Sequence, residues 1–462
     1  MIRINIILAI IVLSIVSLSA QNDTISLTFE QALNQMNNSN LAIKSAEAER
    51  RSNEFMRKTT RGLFLPKITL SASYLKLDED LGVDITGLTE AYRDAASIPA
   101  STMLPNTLVL QQEELASARI NLLWPIFTGG KIKAANNAMD ANIDNAMYKI
   151  EQTRNELNTE LVQRYYGYRL SLKAVDLYSE VYNAMLLHQD NAKKLEENGM
   201  ISKAQRLYTD IAVSMAKTDL ENAKNKSNTV RDALKNTLSD SSEIKAISEL
   251  FLIKKIEPVS FFQNSALANN PQLKQVEATK TMAKQNFNFE KSNYLPTIAI
   301  VGSKEIAEYQ VADIVPNWFV GVNFSWTIFD GVSRTYKTQA ARATMDRVEF
   351  IESKAHADIS TYVNKLYNEL QSYVQQLESM ETTYTFAKEY LRVQQKAFSE
   401  GFATSRDLVD AQTTINKVKT GRIKIMNDYV YTLAKLLEIS GKSNMFLDYS
   451  RREDREREDF KE

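Results

Sequence analysis

The chain has 462 residues, and its 56 Lys and Arg side chains nearly balance 57 Asp and Glu side chains. It contains no cysteine and two histidines, which excludes disulfides, a thiol nucleophile, Cys-ligated metal sites and a three-histidine metal site. The net charge of -1 gives no electrostatic reason to expect nucleic acid as a partner.

Glycine and proline are scarce, with 13 and 8 residues respectively. These two residues interrupt helices most strongly, so their scarcity predicts long helices. Apolar residues make up 44% of the chain, which is enough for packed structure and argues against wholesale disorder.

Residues 1–20 have the layout of a secretory signal peptide. Arg3 supplies the positive charge, residues 6–16 form a nearly unbroken apolar run, and Ala20 ends a small-residue cleavage zone. A membrane anchor is the alternative, but this run is shorter than the roughly 20 residues that a spanning helix needs. We therefore expect export followed by cleavage.

The remaining chain repeats itself. The segment Trp124-Pro-Ile-Phe-Thr-Gly129 returns 202 positions later as Trp326-Thr-Ile-Phe-Asp-Gly331. Three further pairs match in the same order: Gly199-Met-Ile-Ser202 with Gly401-Phe-Ala-Thr404, Leu65-Pro66 with Leu295-Pro296, and Asn38-Ser-Asn-Leu41 with Asn270-Pro-Gln-Leu273. This pattern predicts two structural repeats, over residues 21–245 and 246–441.

Each repeat is predicted to hold a helix, a pair of strands, a very long helix and a shorter helix. In the first repeat, the strands cover about 67–77 and 115–127, and the later helices cover about 130–198 and 203–238. The second repeat has a helix over about 261–292, strands over about 297–309 and 317–328, and helices over about 331–400 and 405–439. The charged residues 442–462 lack a packing pattern and are predicted to be a disordered tail.

The two longest predicted helices contain no proline. A helix of about 67 residues spans roughly 100 Å, so it requires neighbouring helices, as in a coiled coil. The shorter helix that follows each one is its predicted antiparallel partner.

Short glycine turns join these helices. Gly199 and Gly401 suit the left-handed residue that ends a helix, and Ser202 and Thr404 suit the N-cap of the next helix. Gln205 and Asp407 lie three residues after these caps, which is the spacing of a capping box. Both turns are therefore predicted to be tight helical hairpins.

The strand segments alternate between apolar and polar residues. Over 318–328 the apolar set is Trp318, Val320, Val322, Phe324, Trp326 and Ile328. Segments of about ten residues with this pattern are typical of transmembrane barrels, although a soluble antiparallel sheet shows the same alternation. Two long hairpins leave no other domain to cover such a sheet. Because lipid forbids open sheet edges, four strands would have to close with copies from other chains, and three chains would give twelve strands.

Aromatic residues lie at the ends of these strands, where the interfacial girdles of membrane barrels occur. The candidates are Tyr74, Trp124, Phe127, Trp318 and Phe329. The first strand pair also encloses an insertion within 78–112, which we expect to be an exposed loop on the cell exterior.

Together these features resemble the TolC-like outer membrane efflux protein family. The resemblance covers nearly the whole mature chain and rests on the doubled layout, the Leu-Pro strand starts, and the segments 125–130, 329–331 and 401–412. It implies a mainly α fold with transmembrane β structure. In this fold, three chains form a twelve-stranded outer-membrane barrel, continued by a long periplasmic barrel of coiled-coil helices.

The resemblance also implies partners. Besides the homotrimer and the outer-membrane lipid, these are a periplasmic adaptor (membrane fusion) protein and an inner-membrane pump of RND or ABC type. The residues that match the family's adaptor-contacting tips are Gly199, Met200, Ile201, Ser202, Gly401, Phe402, Ala403 and Thr404. Simple hairpin geometry would also explain these residues.

By the same resemblance, Asp407 and Asp410 match aspartates at the constricted periplasmic entrance. Six carboxylates from three chains would raise one another's pKa and favour cations over anions. The alternative is that Asp407 is a helix-cap residue and Asp410 is a solvated one. The family's closed state uses an arginine and a tyrosine near this turn. Ala403 and Phe398 stand at the matching positions here, so any latch must be built differently or be weaker.

The sequence therefore predicts the passive exit duct of a tripartite efflux or type I secretion system, located in the outer membrane and gated at the helix tips. Hydrolase, zinc-protease and phosphate-loop motifs are absent, so we expect neither an enzyme nor a cofactor or metal site. His188 and His356 are expected to be solvated or interfacial. The main rival is a secreted coiled-coil scaffold or adhesin whose short sheets are soluble.

Overall fold

A computed structural model describes residues 25–99, 101–311 and 316–459. The predicted signal peptide, residues 1–20, lies outside the described residues, as do residues 460–462 of the predicted tail. The described chain forms two compact units. The first comprises residues 25–48, 147–275 and 352–459, and the second comprises described residues of 49–146 and 276–351.

Long helices account for most of the described chain. In order, the helices are α1 (Phe29–Ser39), α2 (Leu41–Gly62), α3 (Thr86–Ala95), α4 (Lys131–Glu197), α5 (Lys203–Leu238), α6 (Val259–Asn269), α7 (Pro271–Ser292), α8 (Ser333–Ser399), α9 (Ser405–Ile439), a 3-10 turn (Ser443–Met445) and α10 (Phe446–Arg451). The strands are β1 (Ile25–Leu27), β2 (Lys67–Lys76), β3 (Leu81–Asp84), β4 (Thr107–Gln111), β5 (Glu114–Phe127), β6 (Ile244–Ala246), β7 (Phe251–Ile253), β8 (Thr297–Tyr309), β9 (Trp318–Ser325) and β10 (Arg455–Arg457). No helix in the described ranges is both long and apolar enough to cross a membrane.

The helix lengths confirm that the chain is built from two repeats. The long helices α4 and α8 each have 67 residues. Ahead of them, α1 and α6 each have 11 residues, and α2 and α7 each have 22.

The single helix predicted over 261–292 is wrong, because α6 and α7 are separated at Asn270. The Asn270 side chain accepts the Gln272 backbone N–H at 2.8 Å and thereby begins a new helix at Pro271, a position that suits proline. Asn40 makes the same bond to the Ala42 N–H, also at 2.8 Å. Asn270 therefore corresponds to Asn40, and its alignment with Asn38 is wrong.

The core of the first unit lies around α4 and α9. Tyr165 on α4 is fully buried, and its hydroxyl donates to the Leu27 carbonyl of β1 at 2.6 Å while accepting the Ser248 N–H at 2.9 Å. Phe29 and Tyr166 meet with ring centroids 5.5 Å apart. Two small sheets complete this unit: β1 pairs with β6 in parallel, and β7 pairs with β10 antiparallel.

The disordered tail predicted over 442–462 is wrong for its described part. Phe446 and Tyr449 of α10 are buried, and β10 pairs with β7. Glu458 follows β10 and is only 2% exposed, because its carboxylate lies against Arg169 and Lys173 of α4. A charged segment thus folds because its charges are paired with residues far away in the sequence.

The second unit is built on one antiparallel sheet with the strand order β2-β5-β8-β9. The last strand ends at Ser325, short of the predicted end at 328, because the Thr327 and Ile328 carbonyls accept hydrogen bonds from the Arg334 guanidinium at 2.6 and 2.8 Å. The insertion within 78–112 is not simply a loop, since it contains the β3–β4 ladder and α3.

Candidate functional site

Both helical hairpins of the first unit turn through the same backbone motif. Gly199 has a φ of 71° and Gly401 a φ of 80°, the left-handed region that glycine adopts without a Cβ clash. The N–H groups of Met200 and Phe402 each reach back to a carbonyl five residues earlier, at 2.8 Å. This Schellman arrangement ends α4 and α8 at the turns that the sequence predicts.

The caps of the returning helices differ between the two tips. Thr404 and Asp407 form a complete capping box. The Asp407 N–H donates to the Thr404 hydroxyl at 3.3 Å, and the Thr404 N–H donates to the Asp407 carboxylate at 2.9 Å. At the other tip, Ser202 accepts the Gln205 N–H at 3.3 Å. Within the described chain, Gln205 does not return the second bond, so the capping box predicted for Ser202 is only half formed.

Asp407 is held in its charged form by this cap. Hydrogen bonds from the Thr404 hydroxyl and then the Thr404 N–H lower the pKa of the Asp407 carboxyl, because both bonds favour the carboxylate. The positive charge of Arg406 acts more weakly in the same direction.

Asp410 lies one turn further along α9 and is exposed. Its carboxylate is 3.9 Å from the Arg406 guanidinium, an i,i+4 pair whose side chains are both mostly in solvent. Such a pair is weak, so Asp410 is free to respond to other charges. Asp407 and Asp410 are three residues apart on one helix face, and the structure places both at the tip.

Each tip also directs one side chain outward and one inward. Met200 and Phe402 occupy equivalent positions, and they are 59% and 85% exposed. Ile201 and Ala403 instead pack against a small apolar cluster. The buried members of this cluster are Ala192, Phe398 and Leu408.

His188 is buried next to this cluster, at a contact between α4 and α8, so the expectation of a solvated residue is wrong for it. The residue is 4% exposed, and its ring lies edge-on to Phe398 with centroids 4.6 Å apart. It stands between Met185 and Ala192 at the three- and four-residue spacing of a buried helix stripe, a signal that could have identified it. His356 is exposed on α8.

The sheet of the second unit carries an exposed apolar face. Residues paired across strands share a face, and the register pairs Leu70 with Ile120 and Ile300 with Val322. Leu70 is 67% exposed and Val322 is 71% exposed. Lys304, which pairs with Ile120 and Trp318, interrupts this face. An exposed apolar face of this extent is still unusual for a surface in water and suits contact with lipid.

Two bulges adjust which residues reach this face. On β5 the extra residue is Ile126, so that Phe127 pairs with Ile298 and joins the apolar face. On β8 the extra residue is Ile306, so that Ala307 pairs with Ala118 and the apolar pattern resumes. The β8 bulge explains why strict alternation does not hold over residues 305–308, whereas Lys304 precedes the bulge and lies on the apolar face.

The predicted girdle residues are all exposed, and each lies at or just beyond an end of its own strand. Tyr74 lies near the end of β2, at the end of the sheet away from the long helices, whereas Trp318 begins the shorter strand β9 and pairs with Lys304 in the middle of β8. Trp124 and Phe127 close β5, and Phe329 follows β9 just before α8.

Trp326, which the sequence analysis did not include among the girdle candidates, is the repeat equivalent of Trp124 and makes the same contact. The Trp124 indole N–H donates to the Phe64 carbonyl at 3.0 Å, and the Trp326 indole N–H donates to the Tyr294 carbonyl at 3.2 Å. Each indole therefore fixes the point where a helix passes into a strand. The 202-residue repeat was the signal that could have identified Trp326.

The opposite face of the sheet is polar and hydrogen-bonded across strands. The Asn121 amide donates to the Ser71 hydroxyl at 3.0 Å, and the Ser303 hydroxyl donates to the Asn121 carbonyl oxygen at 3.0 Å. Arg119 and Glu305 form an ion pair at 3.1 Å. This face suits water, in contrast to the apolar face.

The family model for outer membrane efflux protein matches residues 32–239 and 263–442. These two segments contain the four sheet strands and both hairpin tips. The chain belongs to the outer membrane efflux protein family. Within the described residues, no group of three acidic or histidine side chains is placed to hold a metal ion.

Two known members show how far the likeness extends. The chain is 24% identical to the outer membrane protein TolC of Escherichia coli over 399 residues, which covers 80% of this chain and 76% of TolC. It is 21% identical to the alkaline protease secretion protein AprF of Pseudomonas aeruginosa over 206 residues. The AprF match spans 43% of each protein, less than half of AprF.

Solved structures of outer membrane channels share the fold. A membrane protein from Pseudomonas aeruginosa superposes with a TM-score of 0.74 and 13% identity, covering 89% of this chain and 90% of that one. The Campylobacter jejuni CmeC outer membrane channel gives a TM-score of 0.72 and 14% identity, with coverage of 92% and 89%. The outer membrane efflux protein family and these neighbours are channels rather than enzymes.

Proposed function

We propose that this protein is the outer membrane channel of a tripartite efflux or type I secretion system, a passive duct gated at its helix tips. The observation that carries the proposal is the four-stranded sheet with one exposed apolar face and one polar face. Family membership and the TolC and AprF matches support export across the outer membrane.

Closure of the sheet requires other chains. Within the described residues, β2 pairs only with β5 and β9 pairs only with β8, which leaves a free edge on each of the two outer strands. Lipid cannot satisfy free backbone N–H and C=O groups, so the edges must meet those of further copies. Three copies give the twelve strands of the proposed barrel, with the Asn121 side facing its interior.

The proposed gate is formed by Asp407 and Asp410 at the α8–α9 tip. Asp407 is fixed by Thr404, whereas Asp410 is exposed and weakly paired. In a trimer these residues would place six carboxylates around one opening, which would favour cations and bind multivalent ones. The exposed Met200 and Phe402 are the proposed anchors for a periplasmic adaptor, because exposed large apolar side chains rimmed by polar residues suit a protein contact.

An inner-membrane pump of RND or ABC type would supply the energy for transport. The AprF name refers to protease secretion, and the type I route is proposed here on that likeness.

Assembly is tested by purification. The protein should require detergent and behave as a trimer by light scattering after size exclusion. A monodisperse monomer in detergent-free buffer would contradict the proposal and favour a secreted scaffold.

The gate is tested by conductance in planar bilayers. Asp407→Asn and Asp410→Asn should reduce cation preference and relieve block by a trivalent cation. Asp428→Asn is the control, since it lies on α9 about six turns from the tip. Unchanged preference and block in the tip variants would remove the gate assignment.

A further inference from the structure

The buried imidazole of His188 has no hydrogen-bond partner. Both ring nitrogens are shielded from solvent, and neither Nδ1 nor Nε2 is paired within the described chain. Buried polar groups are nearly always hydrogen-bonded. Two buried ring nitrogens without hydrogen bonds therefore call for a functional explanation. Ser405, the first residue of α9, is 1% exposed, and its hydroxyl is likewise unpaired.

His188 lies where three helix segments meet. It projects from α4, and it packs on Phe398 near the end of α8. The cavity beside it measures about 590 Å³ and is also bounded by Leu408 and Gln412 of α9. The imidazole therefore connects the α8–α9 tip to α4.

Within the described residues, the lining of the cavity beside His188 contains no carboxylate that could balance a protonated imidazole. On the α8 side, the cavity is lined by Gln395, Phe398 and Ser399, none of which is titratable. From α9, it receives Leu408 and Gln412, and the nearest carboxylate in the first turn, Asp407, is bound to Thr404. From α4 itself, it receives Lys194, whose ammonium is 2.5 Å from the Asp190 carboxylate.

We propose that His188 is a pH-sensitive latch, in which the neutral imidazole packed on Phe398 holds the α8–α9 tip against α4 and protonation releases it. The link to channel opening rests on the proposed gate at this tip. The release of the α8–α9 tip from α4 depends only on the contacts of His188 and does not require that the protein is a channel.

The direction of the pH effect follows from burial. Burial lowers the pKa of His188, and the Ser405 main chain opposes this shift without meeting the geometry of a hydrogen bond. The released imidazole, in water, has a pKa near the ordinary value of about 6.5. The packed tip therefore binds fewer protons than the released tip. Above about pH 6.5 the equilibrium ratio of packed to released tips is at its maximum. Below this pH the ratio falls by up to about tenfold for each pH unit.

A distance measurement tests the latch directly. The chain has no cysteine, so Met200→Cys and Phe402→Cys introduce two unique spin-label sites at the two tips. The full-length labelled chain is mixed with excess unlabelled chain before assembly, and the label-to-label distance is measured between pH 7.5 and pH 5. We expect a population with longer distances that grows below about pH 6.5.

Three variants in this labelled background isolate His188. His188→Phe keeps a ring against Phe398, and His188→Gln keeps a neutral polar side chain. Both should give distances that do not change with pH. His356→Asn removes the other histidine of the chain, which is exposed, and should behave like the parent.

The latch is overturned if the parent distances stay constant over this range, or if both His188 variants show the same pH response as the parent.

Bilayer recordings separate the latch from the proposed function. A pH-dependent distance in a protein that never conducts would support the latch and contradict the channel. A conducting channel with a constant distance would contradict the latch alone.

Discussion

Asn40 and Asn270 make the same two contacts in the two halves of the chain. Each side-chain oxygen caps the helix that follows, and each amide donates to a carbonyl at the end of a returning helix. Asn40 reaches the Thr237 carbonyl at 3.4 Å and Asn270 reaches the Ile439 carbonyl at 2.8 Å. Thr237 and Ile439 are themselves 202 positions apart, so the pair of contacts is repeated as a unit.

Replacement of these asparagines should destabilise the protein unequally. Asn270→Ala removes a cap and a short hydrogen bond at a residue that is 2% exposed, and we expect a loss of about 2 kcal/mol. Asn40→Ala removes a cap and a longer bond, and the loss should be about 1 kcal/mol. Denaturant unfolding of the detergent-solubilised protein, followed by circular dichroism, measures both values.

Asn38→Ala is the matched control for this comparison. Asn38 is the residue that sequence alignment pairs with Asn270, yet it is exposed on α1 and its replacement should change stability by less than about 0.5 kcal/mol. A larger loss for Asn38→Ala than for Asn40→Ala would contradict the structural correspondence of the repeats.

The repeats and the hairpin turns could be predicted because their signals are local. A glycine at 199 or 401 followed three residues later by Ser202 or Thr404 defines a helix end and a cap without reference to the rest of the chain. The break at Asn270 was hidden because the apolar pattern continues on both sides of it. Bulges such as the one at Ile126 were also hidden, because they depend on the partner strand.

The ordered tail could not be predicted, because its partners are distant in the sequence. Glu458 accepts the Leu250 backbone N–H at 3.0 Å and is paired with Arg169 and Lys173, almost 300 residues earlier. Its main-chain carbonyl also accepts the buried Arg422 guanidinium at 2.5 Å. Composition shows only that the segment is charged, and charge alone favours disorder.

Loss of the Glu458 charge should release this tail. Glu458→Gln leaves the positive charges of Arg169 and Lys173 without their buried partner, and breaking a buried pair in this way costs about 3 kcal/mol. Trypsin should then cleave the folded protein within residues 451–457, which contain four arginines. Mass spectrometry of the products detects the cleavage.

Asp459→Asn is the control for the tail. Asp459 pairs with the same Lys173 at 2.8 Å, but its side chain is 70% exposed, so its loss should have little effect on stability or cleavage. Equal protection of the tail in Glu458→Gln and in the parent would show that the ion pair does not hold it.

The capping box predicts the pH at which Asp407 loses its charge. Its pKa is lowered in the folded chain, so the charge persists as pH falls below the ordinary aspartate value of about 3.9 and is lost only near the lower folded pKa. Thr404→Ala removes the hydroxyl that contributes most to this shift. We expect the midpoint for loss of trivalent-cation block to move to higher pH in this variant, as measured in bilayers.

Ser202→Ala provides the matched control at the other tip. It removes an equivalent N-cap hydroxyl, but the residue that it caps is Gln205, which does not titrate. The midpoint should therefore stay as in the parent. If Thr404→Ala and Ser202→Ala give the same midpoint, the Thr404 hydroxyl does not control the charge that produces the block.

The two ends of β9 should report the two boundaries of the membrane. Trp318 begins β9 and Trp326 directly follows it, eight residues later, about 27 Å along an extended chain. With the strand tilt of about 35–45° in membrane barrels, this is roughly 20 Å along the membrane normal, comparable to their apolar band of roughly 25 Å. The chain has three tryptophans, so replacing two of them by phenylalanine leaves a single fluorophore. In liposomes, both Trp318 and Trp326 should be quenched more by lipids brominated near the headgroup than by lipids brominated near the chain end.

A tryptophan-free chain with Phe402→Trp is the control, and its exposed tip should respond to aqueous iodide and not to brominated lipid. Quenching of Trp318 by iodide alone would place this strand in water and contradict the lipid-facing sheet.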